Sequence, residues 1–126
     1  MEPMTRVYLL DEQQQKFFGE GPYRLLLAVE ETGSLRAAAL SMGMAYTKAL
    51  KLLKRAENAL GHPLTDRSAG GRDGGGSRLT PMGKELLRKY EAYREQCIQA
   101  NREIYRQVFC SEWETASSSD RDPGRR

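Results

Sequence analysis

Between Ser34 and Glu57 the chain carries Tyr46, Thr47, Lys48, Lys51, Lys54 and Arg55, hydroxyls and cations recurring at steps of three and four. On a helix that spacing gathers side chains on one side. A face of this kind can bind a polyanion, because its cations neutralise phosphates and its short polar groups reach base edges. The charge along the chain agrees. Residues 34–78 hold eight Lys/Arg against three Asp/Glu, a net +5, whereas residues 1–33 are net −3, residues 79–126 are net +1 and the whole is +3. Charge alone does not decide the matter, since a run of lysines is also what an ordinary solvated helix shows.

A second cluster lies just downstream. Ser68 to Ser77 contains Gly70, Gly71, Gly74, Gly75 and Gly76, with Arg72 inside the run and Arg67 and Arg78 at its flanks. Glycines let a backbone approach phosphates closely, and arginines neutralise them. The run is not a nucleotide loop, because Gly76-Ser77 stands where a phosphate-binding loop needs Lys-Ser or Lys-Thr, and no strand-then-helix order surrounds it. Taken alone it equally reads as a flexible loop without a ligand.

Catalysis and metal binding find no support. The single histidine, His62, sits beside Pro63 without spaced Cys or His companions, and there is no Gly-x-Ser-x-Gly elbow. No cofactor or metal is expected. Cys97 and Cys110 are thirteen residues apart on one helical-looking segment, roughly 20 Å along a helix and beyond an intrachain bridge. Both read as reduced thiols.

The positions of these residues imply a scaffold. A short hairpin is expected from Arg6–Leu10 and Lys16–Phe18, then a helix from Pro22 to Thr32-Gly33. Ser34 suits the N-cap of a short second helix through Arg36, Ala38, Ala39 and Met42, closed by Gly43. A third helix runs from Ala45 to Leu60, with Ala49, Leu50, Leu53, Ala56 and Leu60 inward and Gly61-His62-Pro63 as its stop. Small residues at Ala38, Ala39 and Gly43 permit the sharp helix crossing of a helix-turn-helix. In that arrangement the basic outer face belongs to the helix that enters the major groove, and Ser34 and Arg36 on the preceding helix complete the candidate DNA-binding set. Strands at Leu64–Arg67 and Arg78–Leu79 would make the glycine run a hairpin wing. Thr80-Pro81 then starts a last helix whose apolar residues Leu86, Tyr90, Tyr93, Cys97, Ala100 and Ile104 repeat at a mean of 3.5 residues, the seam of a paired helix.

The expected fold is therefore mainly α: a winged helix-turn-helix with a small β-hairpin wing over residues 1–79, a long dimerisation helix over 80–110 and a disordered tail over 111–126. The length, 126 residues, fits one such unit. The longest apolar run, Leu25 to Val29, is far below the ~20 residues of a membrane span. The start, MEPMTRVYLLDEQ, lacks the pattern of a secretory signal, so a cytoplasmic protein with no membrane partner is expected.

The segments GPYRLLLAVEETGSLRAAALSMGMAYTKALKLL and DRSAGGRDGGGSRLTPMGKELLRKY resemble the amino-terminal winged-helix domain of molybdate-responsive regulators of the ModE type, itself related to the LysR-type DNA-binding domain. The resemblance covers roughly Tyr8 to Tyr93, with its most specific pieces between Gly70 and Gly83. It implies a homodimer on a pseudo-palindromic operator in double-stranded DNA, the helix from Ala45 in the major groove, the wing near Arg72 on the backbone, and the helix from Pro81 pairing the subunits. Ala45 stands where that family usually has Ser, and Leu50 where it has Trp. The family's molybdate sensor is a carboxy-terminal pair of small β-barrels. With no strand-rich segment after Phe109, molybdate binding is not expected of this chain. The resulting expectation is a sequence-specific transcriptional regulator and not an enzyme. The competing one is a dimeric interaction module whose basic face is incidental.

Overall fold

The computed structural model describes residues 1–66, 76–109, 113 and 116. Its elements, in chain order, are β1 (Leu9–Leu10), β2 (Lys16–Phe18), α1 (Glu20–Thr32), α2 (Leu35–Ser41), α3 (Tyr46–Leu60), β3 (Thr65–Asp66), β4 (Arg78–Leu79) and α4 (Pro81–Val108). The fold is a mainly helical winged helix-turn-helix with two small antiparallel hairpins. By contact the described residues divide into Arg6–Ala92 and a second group of Met1–Thr5 with the chain from Tyr93 onward.

In the first unit, Ser34 caps α2 as its type predicts: the Ala37 amide donates to Ser34 Oγ at 3.1 Å. Leu35, Ala38 and Ala39 bury the inner side of α2, and small residues there let the backbones of α1, α2 and α3 approach. Gly43, at φ 63, takes the left-handed conformation that turns the chain into α3. Helix α3 buries Ala49, Leu53 and Ala56. At its carboxyl end the Glu57 carboxylate accepts the Leu64 amide at 2.8 Å, fixing the loop that leads to β3.

The wing base pairs Thr65 with Leu79 and Asp66 with Arg78. Thr80 caps α4 through its Oγ1, which accepts the Gly83 amide at 3.0 Å, with Pro81 opening the helix. Gly83 lies against the Leu64 backbone so closely that any Cβ would collide with the Leu64 carbonyl oxygen. The close approach brings Leu87 and Tyr90 into the core.

Tyr90 corrects the expectation that it belongs to the pairing seam. Only 2% of it is exposed: its ring packs edge-on to Phe18 at 5.0 Å and beside Tyr23, and its hydroxyl donates to the Val7 carbonyl at 2.8 Å. The physical reason is the hairpin β1–β2, which brings Val7 and Phe18 over the start of α4, where helical spacing alone reveals nothing. Leu86 is half-buried. On the same surface Tyr23 donates to Glu91 at 2.7 Å, and Arg88 holds both oxygens of Glu30 at 2.9 and 3.0 Å. The hydrogen bond to Glu30, and then its charge, raise the Arg88 guanidinium further above its ordinary value.

In the second unit, Asn101 donates to Thr5 Oγ1 at 2.6 Å and Tyr105 to the Met1 carbonyl at 3.0 Å, so the first five residues lie along one side of the helix. Tyr93, Ala100, Ile104 and Val108 are exposed, and Cys97 is half-buried. The Phe109 ring packs tilted against Tyr105 and edge-on to Trp113. Cys110 and the tail over 111–126 lie outside the described residues, apart from Trp113 and Ala116, both helical.

Candidate nucleic-acid interface

The helix-turn-helix places the predicted face as a single surface. Thr47, Lys48, Lys51, Lys54 and Arg55 are all exposed on α3, opposite the buried Ala49, Leu53 and Ala56. Tyr46 is half-buried at the first turn. Among the described residues no carboxylate pairs with Lys48, Lys51, Lys54 or Arg55, and none of the four side chains makes a hydrogen bond. Four unpaired cations within about two turns repel one another, and an anionic partner relieves that repulsion.

Arg36 reaches this face from α2. Its guanidinium carbon lies 4.3 Å from the centre of the Tyr46 ring, a cation–π contact that ties α2 to the first turn of α3. The Ser34 hydroxyl accepts at the α2 cap, and its own O–H can still donate. Arg78 is exposed on β4 beside the Ser77 amide, which donates to the Gly33 carbonyl at 2.7 Å and so joins the wing base to the end of α1. Arg67 and Arg72 lie outside the described residues.

An open groove of about 1120 Å³ runs beside α3, walled on one side by Thr47, Leu50, Lys51, Lys54 and Arg55 and on the other by Leu10, Asp11, Glu12, Gln13 and Phe17. No pattern in the sequence points to it, because it depends on where the first hairpin lies against a helix some forty residues on. Asp11 is occupied within its own turn, its Oδ1 accepting the Gln13 and Gln15 amides at 2.9 Å each. Among the described residues no group of three His, Cys, Asp or Glu could hold a metal ion, and no helix is long and apolar enough to cross a membrane.

The architecture has a counterpart among known proteins. The family model of the bacterial regulatory helix-turn-helix proteins of the LysR type matches residues 22–84, half of the chain, from the start of α1 into the first turn of α4. The chain belongs to this family. Within it, the chain is similar to the molybdenum transport protein ModE of Herbaspirillum seropedicae, 40% identical over 83 residues that are 66% of this chain and 29% of that protein. It is also similar to the DNA-binding transcriptional dual regulator ModE of Escherichia coli K12, 34% identical over 89 residues, 69% of this chain and 34% of the relative. A third relative, the molybdenum-pterin-binding protein MopB of Rhodobacter capsulatus, is 40% identical over 68 residues, 54% and 25% of the two chains. The chain thus spans a quarter to about a third of the curated relatives it matches. In this LysR-type domain α3 occupies the place of the second helix of the helix-turn-helix, the one that carries the unpaired cations.

Proposed function

We propose that the chain is a sequence-specific DNA-binding transcriptional regulator that acts as a homodimer in the cytoplasm. Helix α3 enters the major groove, with Thr47, Lys48 and Lys51 at base edges and Lys54 and Arg55 toward phosphates. Ser34, Arg36 and Tyr46 stand at the near backbone. The wing, with Arg67, Arg72 and Arg78, lies along the flanking phosphates. The pairing surface is the outward stripe of Tyr93, Cys97, Ala100 and Ile104 on α4, with Leu86 at its margin. A two-fold dimer covers the stripe with its own copy and sets two α3 helices for half-sites about one helical turn, or a multiple, apart. Regulation by DNA binding needs no catalytic group, and an enzymatic role is not proposed. Two of the three relatives above carry molybdenum in their names, but this chain spans only 29% and 25% of their lengths, and molybdate binding is not proposed for it.

The observation that carries this reading is the row of four cations on α3, exposed and without a carboxylate partner among the described residues, on a helix-turn-helix of a regulatory family. The test is a selection of binding sites from random duplexes, followed by titration against salt. Alanine at Thr47, Lys48 or Lys51 is expected to cost roughly 1 to 3 kcal/mol on the selected site at one or more of the three positions, and much less on random DNA. Failure to select any site, or equal losses on both duplexes at all three positions, would remove the sequence-specific reading and leave a dimeric interaction module.

A further inference from the structure

Arg36 differs from the other described cations near the interface in being held. Its guanidinium lies against the Tyr46 ring at 4.3 Å, while no carboxylate among the described residues is within ion-pair distance of it. The contact leaves the guanidinium N–H groups without a hydrogen-bond partner among the described residues, and those groups can bind a phosphate bidentately. An exposed arginine otherwise samples many rotamers, and ordering it on binding costs entropy. Here the ring already restrains the guanidinium. The pair also joins the two helices of the motif, Arg36 from α2 and Tyr46 from the first turn of α3. When the second helix of a helix-turn-helix enters the major groove, the first crosses the sugar-phosphate backbone, so a donor fork at this junction meets a phosphate rather than a base.

We propose that Arg36 and Tyr46 form a ring-backed phosphate clamp, in which Arg36 grips a backbone phosphate at the edge of the major groove and Tyr46 is the residue that positions it. The proposal rests on the DNA-binding reading above and deepens it. It assigns register, not sequence, to this pair: the clamp fixes where α3 enters the groove while Thr47, Lys48 and Lys51 read the bases.

The test is fluorescence anisotropy of the full chain on two duplexes of equal length, one selected and one unrelated, over a range of salt. Arg36→Ala is expected to weaken both by a similar factor, roughly tenfold at low salt, as removal of a charged hydrogen bond does. It should also flatten the logarithmic salt dependence by about one unit of slope. Tyr46→Phe keeps the ring and should lose less binding than Tyr46→Leu does. Tyr46→Leu should weaken binding about threefold while Arg36 is present, and add nothing when Arg36 is already alanine. Thermal melting of each variant, followed by circular dichroism, identifies any loss that comes from unfolding, and Arg36→Ala, at an exposed position, reads the clamp without disturbing the core. An unchanged salt slope in Arg36→Ala, a loss confined to the selected duplex, or additive losses in the Arg36→Ala/Tyr46→Leu double variant would each overturn the clamp. If Lys51→Ala weakens binding and Arg36→Ala does not, the clamp falls and the DNA-binding reading stands. A parent chain that binds neither duplex brings down both.

Discussion

Helices α3 and α4 are both amphipathic and both rich in Lys and Arg, yet they treat their cations in opposite ways. On α4 three of the cations find acids nearby: Lys89 lies 3.4 Å from Glu85, Arg106 2.6 Å from Glu103, and Arg88 2.9 Å from Glu30 of α1. On α3 the row Lys48, Lys51, Lys54 and Arg55 has no such partner among the described residues, and Glu57 is already taken by the Leu64 amide. Exposed pairs of the α4 type add at most about 1 kcal/mol each, but they leave little net field. An unpaired row leaves a field that attracts an anion from a distance and releases counterions on contact. Composition alone does not separate a solvated surface from a binding surface; the pairing of the charges does.

The strongest way to break this contrast is through α4's other face. If α4 serves assembly while α3 serves DNA, Ile104→Lys or Tyr93→Lys should leave the helical content intact and abolish the dimer. Both residues are more than half exposed, at 57% and 52%, so neither change disturbs a core. Operator affinity should then fall on the order of a hundredfold or more, because the second half-site is no longer held at high effective concentration. Sedimentation checks the oligomeric state and a mobility shift checks the affinity. Monomers in the parent at micromolar concentration, or lysine variants that bind as tightly as the parent, would mean that α4 plays no part in pairing.

The next prediction sets the two rows of charge against each other. Replacing Lys54 and Arg55 together by Gln should reduce the logarithmic salt slope by about two units, roughly one for each phosphate that is no longer neutralised. The same number of cations changed on α4, at Lys89 and Arg106, should leave the slope within error. Titrations of an unrelated duplex between low and physiological salt give both numbers. Equal reductions would show that binding follows net charge and that α3 has no special place in it.

Much of this was legible because it is local. The cap at Ser34, the small pair Ala38-Ala39, the left-handed turn at Gly43 and the Thr80-Pro81 start each depend on a few neighbouring residues, and the structure places each element where those residues indicate. The outward face of α3 was legible for the same reason, since helical spacing alone puts Lys48, Lys51 and Lys54 opposite Ala49 and Leu53. What escaped was long-range. The groove beside α3 depends on the first hairpin, and the bonds of Asn101 and Tyr105 depend on the first five residues. The 3.5-residue repeat is real, but a repeat does not say which of its members the chain's own core claims. The stripe left exposed runs from Tyr93 to Val108 and not from Leu86.

Tyr90 is where that distinction can be measured with the smallest change. Its hydroxyl donates to the Val7 carbonyl at 2.8 Å, and its ring is enclosed by Phe18 and Tyr23. Tyr90→Phe keeps the ring and removes one buried hydrogen bond, leaving the Val7 carbonyl without that donor. The expected loss is about 1 kcal/mol of folding stability, read by urea unfolding with an unchanged slope against denaturant. Dimerisation and operator affinity should be unaffected, because the residue lies in the core and off the pairing surface. The first turns of α4 would then be fixed as part of the DNA-binding domain, with pairing left to the turns after Ala92. A Tyr90→Phe variant of parental stability that dissociates more readily would reverse the assignment, returning Tyr90 to the seam and moving the boundary between domain and pairing helix back toward Pro81.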